Sequence, residues 1–351
     1  MAHSGRADGD DIPSLFGRDI LRLGRRRREQ CLQEACAYWR RAGFPYPRLT
    51  RSEIEPHFRA LADTPLCTLR DGDTLGPSTV GLRLANSYHP QMWHARSHRH
   101  RRSPYTYFHE DDHLRAMLER APRFWPNARC WSAQAVRNLI RVYSGGRVAN
   151  FRPVVARNIL AAYSADGDTV LDFSAGYGGR LLACCTLRRH CVAIDPARRQ
   201  VFGLRAMWRD LRAHSPGQVE IVQGCAEDVL TGVGRGSVDL VFSSPPYYNL
   251  EIYSDEATQS SSRYRTYDEW RARFLDVVVT QSRRVLRRGG YFIINVSTRG
   301  RHALADDTLA IASRLFRHEA TLHIAMPCRP LQRSQNGGAC RAEPIYVFRK
   351  R

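Results

Sequence analysis

The chain has 351 residues, long enough for a full α/β core and a second, smaller unit. Its first hundred residues interrupt every apolar run with Arg, Asp or His, which excludes a signal peptide and a membrane span, and its ten cysteines show no paired zinc-type spacing, so buried free thiols in a reducing cytoplasm are expected. The formal charge of +20 points toward nucleic acid, but Lys350 is the only lysine and residues 1–150 and 151–351 carry +10 each, so it implies no localised basic face.

Residues 1–15 are small, polar and acidic, a composition that does not build a core. A helical pattern runs from Asp19 to Arg41, with Leu32, Ala35 and Trp39 set among arginines, until Gly43, Pro45 and Pro47 stop it. Thr50 and Glu53 form a capping-box signal for a second helix, with Ile54, Phe58 and Leu61 as its buried stripe. A loop rich in Asp, Gly and Pro follows to Ser78.

From Leu84 to His113 six histidines (His89, His94, His98, His100, His109, His113) lie among Tyr88, Trp93, Tyr105, Tyr107, Phe108 and several arginines. Rings interleaved with guanidinium groups suit a groove that tracks a nucleic-acid strand; a loop packed by its own aromatics is the plainer alternative. The histidine spacing fits no metal motif, and no metal is expected. Asp111 or Asp112 can cap a helix through Arg120, and Ser132 one from Ala133 to Tyr143. A single boundary is expected near here, with 1–145 as a helical, basic and aromatic recognition region and 146–351 as a catalytic domain.

Pro153 suits the first turn of the next helix. Thr169 to Leu182 then reads as an apolar strand ending in Asp172, a turn containing Gly176, Gly178 and Gly179, and an amphipathic helix; the glycines permit approaches that a Cβ would obstruct. Cys191 to Asp195 is a second strand with a carboxylate at its C-terminal end, where open α/β sheets place a group that holds a ribose. Val219 to Leu230 is a strand, a turn and a helix start. Asp239 to Tyr248 is a further strand followed by a rigid Ser-Pro-Pro-Tyr corner. A glycine-rich turn alone is a weak signal, whereas the glycine turn, the strand ending in Asp195 and the Ser-Pro-Pro-Tyr corner in this order are specific. Beyond the corner, Trp270 to Leu286 is helical, Tyr291 to Val296 is a strand, and Glu343 to Lys350 closes the sheet.

This order resembles the S-adenosylmethionine-dependent methyltransferases of the Rossmann-like class, in particular the amino-methyltransferases of DNA adenine-N6 and cytosine-N4, whose Asp/Asn/Ser-Pro-Pro-Tyr/Phe signature is matched by Ser244, Pro245, Pro246 and Tyr247. It covers residues 150–348. The resemblance implies an α/β, Rossmann-like class I methyltransferase sheet with a mainly helical N-terminal region, and S-adenosyl-L-methionine as group donor. Phe151 and Pro153 match a Phe-x-Pro segment that encloses the methionine part of the donor. Asp172, Gly176 and Gly178 form the loop, Asp195 the ribose site, and Glu227 and Asp228 the adenine site, where Asp228 accepts from the amino group or is only a helix cap.

At the corner, Ser244 and the Pro245 carbonyl are candidate acceptors of hydrogen bonds from a target amine, Pro246 fixes the backbone, and Tyr247 stacks on the target ring, with Tyr248 widening that platform. Asn249 to Tyr264 resembles the continuation in phage-type DNA methylases, with Glu251, Gln259 and Arg263 as candidates for reading a base edge. DNA is the expected partner, and no membrane is. Two departures keep other classes open: no target-recognition region follows the sheet, and the corner begins with serine, which occurs in the cytosine-N4 group without excluding adenine. The alternatives are methyl or 3-amino-3-carboxypropyl transfer to a small-molecule acceptor, and an inactive nucleic-acid-binding protein.

Overall fold

The short apolar runs that read as strands do form one sheet. A computed structural model describes residues 20–98, 102–124, 131–144, 148–298, 300–325 and 342–351. Its strands are β1 (Thr74–Leu75), β2 (Arg96–Ser97), β3 (Thr169–Asp172), β4 (His190–Asp195), β5 (Gln218–Gln223), β6 (Val238–Ser243), β7 (Glu251–Ile252), β8 (Leu286–Asn295), β9 (Arg317–Ala325) and β10 (Ala342–Arg349). Eight of them make one sheet in the order β1-β9-β10-β8-β6-β3-β4-β5, while β2 and β7 pair separately.

Neighbours β5, β4, β3, β6 and β8 are parallel, and β10 enters antiparallel between β8 and β9. Leu171, Ile194, Val241, Phe292 and Ile294 are buried, as strands covered on both faces require. This is a Rossmann-like α/β sheet, extended at one edge by β1, which lies in a stretch expected to be a loop. The irregular loop expected around Pro330 to Gly338 lies outside the described residues.

The chain divides into two compact units, and the division is not a single cut. Among the described residues, one unit holds those from 20–50, 90–149 and 251–253, and the other those from 51–89, 150–250 and 254–351. Residues 51–89, read from the sequence as part of the N-terminal region, group with the sheet because β1 pairs with β9 and Arg157 donates to the carbonyls of Ala62 and Thr64, both at 2.6 Å.

In the first unit, helices Arg25–Ala42, Asp111–Phe124 and Ala133–Tyr143 are tied by indole donors. Trp39 Nε1 donates to the Trp131 carbonyl at 3.2 Å and Trp131 Nε1 to the Leu118 carbonyl at 2.8 Å. Ser132 caps its helix as expected, accepting from Ala135 N. The rings expected to stack on bases stack on one another: His94 on Tyr105 at 4.0 Å, Tyr107 on His113 at 4.3 Å, with Tyr46 Oη 2.9 Å from His94 Nε2. The self-packed loop is therefore the arrangement found; His100 lies outside the described residues. Among the described residues, no three His, Cys, Asp or Glu side chains are grouped to hold a metal ion, no cysteine forms a disulfide, and no helix is long and apolar enough to cross a membrane.

Candidate active site

Five parallel strands of the sheet unit end side by side, and each end carries a polar group. Asp172 closes β3, Asp195 closes β4, Cys225 to Asp228 follow β5, Ser244 to Tyr247 follow β6, and Asn295 closes β8. The strand order reverses between β3 and β6, where open α/β sheets leave a crevice for ligands. The glycine loop and the Pro-Pro-Tyr corner flank that reversal.

Asp172 is fully committed inside the protein. Arg180 reaches it with Nε at 2.7 Å and Nη2 at 3.2 Å, while the Ser243 hydroxyl donates to Oδ1 at 2.8 Å and Ser174 N at 3.2 Å. Both partners are buried. The Arg180 guanidinium also lies over the Phe151 ring at 5.2 Å, and that ring meets Phe242 edge-on. Arg180, which follows the glycine turn, thus locks the loop onto the strand end.

A second clip comes from Asn150. Its Nδ2 donates to the Tyr177 carbonyl at 2.8 Å and its Oδ1 accepts from Gly179 N at 3.2 Å. A Cβ on Gly179 would collide with the Phe151 carbonyl. Pro153 starts helix Pro153–Tyr163, so the Phe-Arg-Pro segment braces the loop from behind. Gly176 is left-handed at φ +56°, and a Cβ there would enter space whose nearest atom is the Ser174 carbonyl at 3.8 Å. That open position is what a ligand lying against the backbone needs. Gly178 is also left-handed, at φ +73°.

Asp195 lies buried with Oδ2 accepting from Gly176 N at 2.8 Å and Oδ1 from Ala197 N at 3.0 Å. Burial outweighs these two donors and pushes its carboxyl up to about 7. Glu227 and Asp228 share one cation: Arg263 Nη1 is 3.0 Å from Glu227 Oε1 and 2.9 Å from Asp228 Oδ2. Tyr264 Oη donates to Glu227 at 2.6 Å, and burial is the main cause that pushes this phenol up. Arg263, expected at a base edge, is placed instead on the two carboxylates expected at adenine. Gln259 is buried. Glu251 leaves the sheet unit: it lies on β7, opposite Ser97 of β2, and accepts from Tyr253 Oη.

At the corner, Ser244 Oγ and Tyr247 Oη are 3.0 Å apart, and both reach Asn295 Oδ1, at 3.4 and 3.2 Å. Pro245 is buried, while Ser244, Pro246 and Tyr247 are half-buried. The expected platform role of Tyr248 is contradicted. Its backbone turns left-handed at φ +53°, which sends the ring into the core against Tyr267 and Trp270, and its hydroxyl donates to the Arg265 carbonyl at 2.9 Å. Asn295, Arg180 and Asn150 were not anticipated. The run Tyr291–Val296 placed Asn295 on a strand, but its partners lie about 50 residues away on either side and leave no local signal.

No protein-family model matches the chain, and no curated protein matches it by sequence. Among solved structures, TrmN from Thermus thermophilus aligns with 57% of this chain at 15% identity and a TM-score of 0.39, and the chain spans about half (49%) of it. A SAM-dependent O-methyltransferase from Thermotoga maritima aligns over 58% of this chain and 67% of its own, at 14% identity and 0.39. A geranyl diphosphate C-methyltransferase from Streptomyces coelicolor A3(2) aligns over 62% and 79%, at 11% and 0.38. Likenesses this distant carry no argument about chemistry; the fold assignment rests on strand order and pairing.

Proposed function

We propose that this chain is an enzyme, an S-adenosyl-L-methionine-dependent methyltransferase whose acceptor is an exocyclic amino group of a DNA base, cytosine N4 or adenine N6. The observation that carries the reading is the placement of the glycine loop and the Ser-Pro-Pro-Tyr corner on either side of the strand-order reversal. The residues present fit the donor: open backbone at Gly176, a buried carboxylate at Asp195, and a short wall at Cys225 and Ala226 that ends in Asp228. Phe151, Pro153, Asp172 and Gly178 serve it indirectly by shaping the loop.

When bound, the donor supplies an electrophilic methyl on a sulfonium. The chain's part is to hold and orient. An aromatic amine is a weak nucleophile because its lone pair is delocalised; acceptors at Ser244 Oγ and the Pro245 carbonyl draw its N–H bonds out of the ring plane and localise that pair. Pro246 keeps the carbonyl aimed, and Tyr247 borders the acceptor ring. Held there, the donor would supply its methyl to the amine nitrogen in exchange for the C–S bond, with the electron pair left on sulfur and one proton lost from nitrogen to water, while Ser244, Pro245, Pro246 and Tyr247 keep the amine in line. Positioning of this kind, with no covalent intermediate, supplies a large part of the barrier reduction.

The test uses donor labelled separately in its methyl and aminocarboxypropyl groups, presented with DNA, RNA and small-molecule pools. Methyl label recovered as N4-methylcytosine or N6-methyladenine in DNA supports the reading. Carboxypropyl label, or label confined to a small acceptor, overturns it. Donor binding without transfer to any acceptor points instead to an inactive binding protein.

A further inference from the structure

The corner contains two hydroxyl protons and one amide, and the amide's direction is fixed. Asn295 is buried. Its Nδ2 lies 2.9 Å from the Pro344 carbonyl, which only accepts, so the NH2 must face that carbonyl and Oδ1 must face the corner. The same Pro344 oxygen also accepts from Val296 N at 3.3 Å, and Ile345 pairs with Asn295 across β10 and β8. The amide is held by the sheet and does not turn over.

With Oδ1 fixed as an acceptor, the proton positions at Ser244 and Tyr247 are restricted. Tyr247 donates to Asn295 and Ser244 to Tyr247, or Ser244 donates to Asn295 and Tyr247 to Ser244, or both donate to Asn295. The shorter approach of Tyr247 to Oδ1, 3.2 against 3.4 Å, favours the first. In each of these arrangements a ligand that donates to the lone pairs of Ser244 leaves the network intact, whereas one that needs a proton from Ser244 must first break its bond to Tyr247 or Asn295.

We propose that Asn295 is a positioning residue that makes the corner an acceptor-only surface, and that the group it selects is a neutral N–H donor such as an aromatic amine, against an oxo group or an anionic oxygen at the same place. The inference rests on the methyltransferase reading and deepens it. An oxo group would obtain a proton from Ser244 only at the expense of the bond Ser244 makes to Tyr247 or Asn295, and a hydrogen bond left unmade at a partly buried site is costly; sites built on such complementarity reject the unmatched analogue strongly.

The experiment uses the full chain and two variants. Asn295→Leu removes the fixed acceptor, freeing a hydroxyl proton to point at the ligand. Asn295→Asp keeps an oxygen toward the corner but sets the other against the Pro344 carbonyl unless the carboxyl is protonated. Binding of the amino/oxo pairs cytidine against uridine and adenosine against inosine is measured by calorimetry with S-adenosylhomocysteine present. Turnover on single-stranded DNA containing cytosine and adenine is followed with methyl-labelled donor. Donor affinity and thermal melting serve as folding controls.

The expected result is a preference of about tenfold or more for the amino member of one pair, collapsing toward unity in Asn295→Leu while donor affinity stays within about twofold. In Asn295→Asp the turnover relative to wild type should rise as pH is lowered from 8 to 5.5, because the protonated acid reproduces the amide's donor and acceptor. A merely structural asparagine would give losses that follow the melting temperature, with no pH-dependent recovery. No preference in either pair, a preference that Asn295→Leu leaves intact, or a flat Asn295→Asp ratio overturns the inference. Absence of methyl transfer by wild type, with the amino preference present and sensitive to Asn295, would instead overturn the methyltransferase reading and leave the corner's polarity standing.

Discussion

The two sides of the strand-order reversal are built on opposite principles. On the β3 side, Asp172 has every oxygen engaged by Arg180, Ser243 and Ser174, and the loop above it is clipped by Asn150 and backed by Phe151. On the β6 side, the Asn295 amide donates to the Pro344 carbonyl while its oxygen accepts from the Ser244 and Tyr247 hydroxyls, an arrangement that turns acceptor capacity toward the crevice. The first side spends its polar groups on rigidity, the second on a surface of defined polarity. The lesson is that an acidic residue before a glycine loop is not by that fact a ligand. Asp172 is a strut, and the positions that leave room for a ligand are the open space beside the Gly176 Cα and the lone pairs of Ser244.

The largest effect that would break this contrast comes from Arg180→Met. It leaves Asp172 buried without its cation, a loss of about 3–5 kcal/mol in other proteins, visible as a lowered midpoint in chemical denaturation. A change below about 1 kcal/mol would mean that Asp172 is not the committed strut described. On the other side, Ser244→Ala should lower turnover about tenfold or more, equivalent to about 1.4 kcal/mol of barrier, while shifting the melting temperature little, since Tyr247 still reaches Asn295. Parallel losses of stability and turnover would erase the distinction between the two sides.

A pH experiment sharpens it further. The folded Asp195 carboxyl sits at about 7, above its unfolded value. Its contribution to stability is therefore fully present below about pH 4 and is lost as pH rises through 7. His89, buried beneath Gly203, is depressed by burial to about 3. Its contribution is present above about pH 6.5 and is lost as pH falls toward 3. Between about pH 4 and 6.5 the two slopes oppose and largely cancel. In His89→Gln, stability measured by urea denaturation should fall with rising pH across this window, by up to about 1.4 kcal/mol per unit. In Asp195→Asn it should rise with pH by a similar amount. If both variants keep the wild-type profile, neither group is buried as described.

The smallest effect is expected for Arg263→Ala. The Asp228 side chain is 65% exposed and that of Arg263 30%, so solvent screens that pairing, and the buried Glu227 keeps the Tyr264 hydroxyl as a donor when Arg263 is removed. The variant should lose less than about 1 kcal/mol in denaturant titration. A larger loss would show that Arg263 is a strut like Arg180 and not a rim contact.

The strand and loop pattern was legible because it is local. An apolar run ending in Asp172 with glycines behind it, or in Asp195, or in Ser244-Pro245-Pro246, carries its own periodicity and turn chemistry within about ten residues. So do the caps at Ser132 and Pro153. Charge was uninformative because arginine is spread through the chain. The roles of individual side chains were less legible. Tyr248 is adjacent to Tyr247 and chemically identical, yet a left-handed backbone at one residue turns it inward. The sequence pattern offers Arg263 to a substrate and Glu227 and Asp228 to a cofactor, and the fold joins the three.

The order of elements and the types of residue at the strand ends are therefore encoded locally, since hydrophobic period and turn residues act on neighbours. Which of those residues hold one another and which face the crevice depends on packing between distant segments. The pairs that settle it, Asp172 with Ser243, Asn295 with Pro344, Arg263 with Glu227, and β1 with β9, join segments separated by 36 to about 250 residues. Packing makes such partners neighbours, and no local pattern encodes them.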